Sequence, residues 1–198
     1  MEKIVKKVQR EENILLSLKK LSYLSRSQIQ ILHDLGSARN ASRILQHMNN
    51  YVSSFRDGEN IYYLNKDGRE RVNSKKVLKK TTQARHYIMR NSIYIAYGSP
   101  SSWKNEVRLG IKEVKNSTVV CDAIFKQDNR YHIVEVDHTQ KMIKNRSKIE
   151  RYKKLIKLTY FDIAPFFIWI TTTEYRRKEL LNLCDGLDVH IFTINDFH

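Results

Sequence analysis

The sequence predicts an α+β protein in two parts: helices closed by a β-hairpin, then an α/β part whose mixed sheet is flanked by helices. Three observations predict it. Apolar residues recur at helical spacing through the first fifty positions. Two turn signals, Asp57-Gly58 and Asp128-Asn129, each separate a pair of β-prone runs. Beyond residue 139, helical and β-prone runs alternate, as in a mixed sheet flanked by helices.

Ile14, Leu15, Leu18 and Leu21 form the apolar stripe of a first helix. Ser25 and Gln28 have capping-box spacing and open a second, which carries Ile29, Leu32 and Leu35 inward and is expected to end at Gly36, the residue best suited to a left-handed C-cap. Ser37 then caps a third helix over 37–50. Its inward residues are Ala41, Ile44, Leu45 and Met48, and its outer ones Arg39, Asn40, Ser42, Arg43, Gln46 and His47. The outer face is rich in donors and holds no carboxylate. A helix entering a major groove needs that, because Arg pairs with guanine and Asn or Gln with adenine. A merely solvated face usually mixes acids with bases.

Tyr51–Phe55 and Asn60–Leu64 flank Arg56-Asp57-Gly58-Glu59, a hairpin with a type I′ turn and Arg56 at its tip. Helices followed by such a hairpin make a winged helix-turn-helix. Asn65 can cap a short helix bearing Lys66, Arg69 and Arg71, three cations directed at phosphates. The DNA-facing candidates are therefore Ser37, Arg39, Asn40, Ser42, Arg43, Gln46, His47, Arg56, Lys66, Arg69 and Arg71. Lys75, Lys76, Lys79 and Lys80 read as an exposed connector, which divides the chain into a DNA-binding domain at 1–80 and a second domain at 81–198.

In the second domain, Trp103–Leu109 reads as a helix holding Glu106. Thr118–Phe125 and Tyr131–Asp137 are strands joined at Asp128-Asn129. A turn centred there sets Asp122 opposite Glu135, and strand alternation turns Asp137 to the same face as Glu135. Cys121, Ala123, Val134 and Val136 are then left on the other face. Three carboxylates converging on one patch of sheet require compensation, by a divalent cation such as Mg²⁺ on Asp122 and Glu135 or by nearby Lys or Arg. A basic helix follows over 139–158, then a fully covered strand at Phe166–Thr172, a helix at Glu174–Leu183 and a last strand at Val189–Thr193.

The 198 residues hold 36 Lys or Arg against 21 Asp or Glu, a formal charge of +15, so a polyanion is the expected partner, most simply nucleic acid. The 41% hydrophobic content supports a packed core. No run approaches the roughly 20 apolar residues that cross a bilayer, and the basic N-terminus lacks a signal-peptide core. Two cysteines without a CxxC pair exclude a disulfide scaffold and a zinc finger, and point to a reducing cytoplasm. Phosphate-cradling glycine loops, a Ser-His-Asp arrangement and the clustered histidines of a relaxase are not found.

LHDLGSARNASRIL (32–45), IYYLNKDGRERV (61–72), HYIMRN (86–91), WKNEV (103–107), EVDHTQKMIKNRSKIERY (135–152) and WITTTEYRRKEL (169–180) together resemble the replication-relaxation family, linked to plasmid and mobile-element maintenance in Gram-positive bacteria. The resemblance covers roughly 12–196. It implies a winged helix fused to a domain similar to restriction-endonuclease-like nucleases, which carry an Asp and then (Asp/Glu)-x-Lys on the next strand. Asp122 and Glu135 match the acids, whereas Asp137 stands where the family of nucleases has lysine. Lys141, Lys144 and Lys148 on the following helix can offer a substitute. Lys148 is the choice, because Tyr152 four residues on shares its face, and Glu106 can add a further acid. Asp122, Glu135, Asp137, Lys148 and Glu106 are thus the implied catalytic set, with Asp122 and Glu135 as metal ligands.

The expected function is sequence-specific binding of double-stranded DNA in replication, copy control or transfer of a plasmid or mobile element. The rival is a Mg²⁺-dependent DNA endonuclease targeted by the winged helix, and enzymatic activity is left open. DNA binding needs no cofactor; the nuclease reading needs Mg²⁺. A homodimer and replication or transfer proteins are further candidate partners, although no dimer interface is legible, and no membrane partner is expected.

Overall fold

The computed structural model describes residues 2–197 and divides into two compact units between Asn91 and Ser92. The first unit runs α1 (Glu2–Leu21), β1 (Leu24–Ser25), α2 (Arg26–Leu32), α3 (Ala38–His47), β2 (Val52–Asp57), β3 (Glu59–Leu64) and α4 (Lys66–Arg71). Its core is the predicted one: Ile14, Leu15, Leu18 and Leu21 of α1 are at most 1% exposed, and Ile29, Ala41, Leu45 and Met48 join them. The capping box of α2 forms, with Ser25 Oγ accepting the Gln28 amide while Gln28 Oε1 accepts the Ser25 amide. However, α2 ends at Leu32 rather than at Gly36. Asp34 already turns left-handed (φ 46°), and Gln30 Nε2 donates to the Gly36 carbonyl at 2.6 Å, so the chain leaves the helix early and Gly36 (φ 66°) completes the turn.

β2 and β3 pair antiparallel with Val52 opposite Leu64, and β1, unforeseen, adds to the free edge of β3. The resulting three-stranded order is β1-β3-β2. The tip differs from a type I′ turn: only Gly58 has positive φ (74°), and Arg56 pairs with Asn60. Asp57, which would have needed positive φ, instead stays in the strand and accepts from Arg85 Nε at 3.0 Å. At the start of α4, Gly68 lies so close to the Tyr51 carbonyl that a Cβ there would sit 2.0 Å from it; only glycine fits.

The expected exposed connector is tied down along its backbone. Tyr23 Oη donates to the Lys79 carbonyl at 2.7 Å, Lys19 Nζ to that of Val72 at 2.7 Å, and Leu78 packs on a cluster of Tyr23, Ile61 and Ala84. The next helix, α5 (Ala84–Ala96), begins within the first unit and not, as the division at residue 80 assumed, within the second. Buried Arg90 and Asn91 explain this, since they donate to the Leu21 and Tyr23 carbonyls between α1 and β1.

The second unit contains β4 (Lys104–Leu109), β5 (Val119–Gln127), β6 (Arg130–Asp137), α6 (Met142–Lys157), β7 (Phe166–Thr171), α7 (Glu174–Leu183) and β8 (Val189–Thr193). The sheet order is β4-β5-β6-β7-β8; the first three strands are antiparallel and the last three parallel. The β5–β6 register is the predicted one, with Gln127 opposite Arg130 and Asp128 and Asn129 both at positive φ. The helix expected over 103–109 is corrected: Lys104–Leu109 form an edge strand. Val107 and Leu109 pack against the core while Arg108 between them is exposed, a period of two that a helix cannot bury.

Candidate functional site

β6 carries two carboxylates, Glu135 and Asp137, that alternation turns to the same side, and both are completely buried. Tyr152 and Asn145, on the buried face of α6, reach that side too. Glu135 Oε2 accepts from the Lys148 ammonium and Oε1 from the Tyr152 hydroxyl, so helical spacing delivers both partners together. Lys141 and Lys144, the other two candidates for this role, are exposed.

Asp122 meets this pair by an unexpected route. The β5–β6 ladder stops at Ala123 opposite Val134, and Asp122 Oδ2 accepts the Val136 amide at 2.8 Å in place of a main-chain carbonyl. Alternation breaks at this point, which corrects the expected face of Cys121: it packs in the same cluster as Ile133, Ile149 and Tyr152, toward α6. On the other side of β5, the β4 pairing skips from Asn105–Ala123 to Val107–Cys121. Glu106 stands in that gap, exposed and with φ 54°, at the register position opposite Asp122. A glutamate held left-handed is strained backbone of the kind found at functional sites.

Asp137 separates from the set. Its two oxygens accept from Arg176 Nε (2.7 Å) and Nη2 (2.6 Å), Asn145 Nδ2 (2.8 Å) and Thr171 Oγ1 (2.7 Å). Asp137 lies on the Glu135 side but has partners of its own, because a bidentate arginine and two neutral donors fill it completely. Arg176 was not foreseen; its place in the first turn of α7, capped by Thr173, gave no sequence signal for a partner on β6.

The electrostatics divide accordingly. Burial pushes the Glu135 carboxyl up to about 8, with the Asp122 charge adding to the rise and Lys148 opposing it. Burial acts to lower Lys148, but the charges of Glu135 and Asp122 outweigh it and hold the ammonium above its ordinary value. Burial, then the Glu135 charge, raises Tyr152 well above the usual phenol. Burial also works to raise Asp137, yet the hydrogen bonds from Arg176, Asn145 and Thr171 prevail and lower it. Among the described residues, no group of three His, Cys, Asp or Glu is arranged to hold a metal ion.

In the first unit, Arg39, Ser42, Arg43, Gln46 and His47 are all exposed on one side of α3. Arg43 Nη2 donates to the neutral Asn40 side chain at 2.9 Å, not to a carboxylate. Asn40 is itself engaged, its amide donating to the Leu35 carbonyl at 2.8 Å, and Ser37 Oγ accepts the Asn40 backbone amide, so these two residues serve the helix start. Arg56 and Lys66 are exposed and Arg69 half-buried. Arg71 is drawn inward, to Glu12 at 3.0 Å and over the Tyr51 ring at 4.7 Å.

Fold and sites together define a two-unit mixed α+β protein: helices and a small sheet, then a five-stranded mixed sheet with a buried acidic cluster. The chain belongs to the replication-relaxation family, whose model matches residues 15–164. No curated protein matches it. Among solved structures it is similar to protein VC1899 from Vibrio cholerae, at 10% identity and a TM-score of 0.39, over 97% of this chain and 48% of that one. It is also similar to Can2 from Sulfobacillus thermosulfidooxidans in complex with cyclic tetra-adenylate, at 12% identity and a TM-score of 0.34, over 92% and 49%. The chain spans about half the length of these two. No helix among the described residues is long and apolar enough to cross a membrane.

Proposed function

We propose that the first unit is a winged helix that binds double-stranded DNA with sequence preference, in plasmid or mobile-element replication, copy control or transfer. The observation that carries this reading is the outer face of α3: five polar or cationic side chains, all exposed, with no carboxylate partner for Arg39 or Arg43 among the described residues. Arg43, Gln46 and His47 lie within one helical turn, the span over which a recognition helix meets base edges. Arg56 on the β2–β3 hairpin and Lys66 at the start of α4 supply phosphate contacts. Family membership supports replication as the setting. A fluorescence-anisotropy titration with duplex DNA tests it; absence of binding at low salt removes it.

A second reading rests on Asp122, Glu135, Lys148 and Tyr152: a Mg²⁺-dependent DNA endonuclease. Lys148 provides the cation that Asp137 cannot. Both Glu135 oxygens are engaged, so a Mg²⁺ that keeps most of its waters would reach it only once Lys148 turns away, with Asp122 beside it and further oxygens from phosphate. Such an ion, held by Asp122 and Glu135, would supply Lewis-acid stabilisation of the phosphoryl group. Tyr152 orients Glu135, and Lys148, its side chain 22% exposed, can turn from Glu135 to a phosphate oxygen. Plasmid cleavage with Mg²⁺ or Mn²⁺ by wild type, abolished in Asp122→Ala/Glu135→Ala, is the expected result; cleavage by both proteins or by neither removes the reading.

A further inference from the structure

The end of the second unit where α6 and α7 begin combines three features that neither reading above uses. Tyr175 on the first turn of α7 is 71% exposed and Ile143 on the first turn of α6 is 66% exposed, the two most exposed large apolar side chains described in that unit. The first turns of α6 and α7 are neighbours: Arg176, next to Tyr175, donates to the Gln140 carbonyl at 2.8 Å, immediately before Lys141 at the N-cap position of α6. Lys141, Lys144 and Arg146 are exposed around Ile143, and no carboxylate occurs from residue 139 to residue 149. On α7, Glu174 is paired with Arg177 at 3.4 Å, and Glu179, four residues after Tyr175, is half-buried with its charge acting on Arg176.

We infer that this surface binds single-stranded nucleic acid. An exposed aromatic ring near cations that have no carboxylate partner among the described residues is an arrangement by which single strands are held, bases stacking on the ring while phosphates take the charges. A duplex cannot use the ring, since its bases are already stacked on one another. Tyr175 is the stacking platform, Ile143 covers sugar or a base edge, and Lys141, Lys144 and Arg146 follow the backbone. The inference is independent of cleavage and of α3, and it gives the second unit a ligand even where the Glu135 cluster does no chemistry.

The test is anisotropy of a fluorescein-labelled oligo-dT of about 15 nucleotides with the full chain, at several salt concentrations. Binding is expected to persist in Arg43→Ala and to fall about tenfold or more in Tyr175→Ala, with Tyr175→Phe retaining it because the stacking face remains. Lys144→Ala is expected to reduce the salt slope by roughly 0.7. Tyr175 is exposed, so an unchanged thermal melt will separate lost binding from lost folding. Absent oligo-dT binding, or binding that Arg43→Ala removes and Tyr175→Ala does not, overturns the proposal. Duplex binding measured in parallel should be unaffected by Tyr175→Ala; its failure alone removes the α3 reading and leaves this one standing.

Discussion

On α3 the arginines point outward with no carboxylate among the described residues to answer them, whereas on β6 the carboxylates are buried, each with a cation of its own. An exposed face of unanswered charge is stabilised by a partner from outside. A buried pair is already satisfied, and breaking it exposes its full desolvation penalty. The first region is therefore open to a binding partner, and stability dominates the second. Within β6 the contrast repeats on a smaller scale: Glu135 has one cation and one hydroxyl, Asp137 a bidentate arginine and two further donors.

The largest expected effect sharpens that inner contrast. Arg176→Ala leaves Asp137 buried without its counter-charge and should destabilise the chain by about 3–5 kcal/mol in urea unfolding. Lys148→Ala should cost clearly less, because burial already favours a neutral Glu135 and the carboxyl can take up a proton. Equal losses would break the distinction between the two carboxylates.

The next effect is one of sign. Glu135 is raised in the folded chain, from 4.5 to about 8, so its contribution is fully present below pH 4.5 and declines as pH rises through 8. Asp137 is lowered, so its contribution is present at neutral pH and is lost as pH falls through its folded value. Thermal melts of Glu135→Gln beside wild type should show the wild type losing ground between about pH 5 and pH 8. A pH-independent difference would mean that Glu135 titrates as an ordinary carboxylate.

Local patterns carried most of what the sequence revealed. The stripes of α1 and α3, the Ser25 and Ser37 caps and the Asp128-Asn129 turn depend on neighbours a few residues apart, and all stand as expected. Lys148 and Tyr152 were legible for the same reason, four residues apart on one helix. What escaped depends on distant chain. β1 exists only because β3 has a free edge, Gly68 is required by the Tyr51 carbonyl, and Asp137 is claimed by an arginine of α7. The break at Asp122, where a side chain replaces a main-chain acceptor, reverses the face of Cys121 that strict alternation assigns.

The measurement that bears most directly on α3 is selection of bound duplexes from a random pool, followed by anisotropy on the selected site. Wild type should recover a defined sequence. Arg43→Ala should weaken that site by about 1–3 kcal/mol and relax one position of the preference. Arg71→Ala, whose guanidinium is held by Glu12, should leave the preference intact. Recovery of no common sequence, or a preference indifferent to Arg43, would contradict base reading by α3.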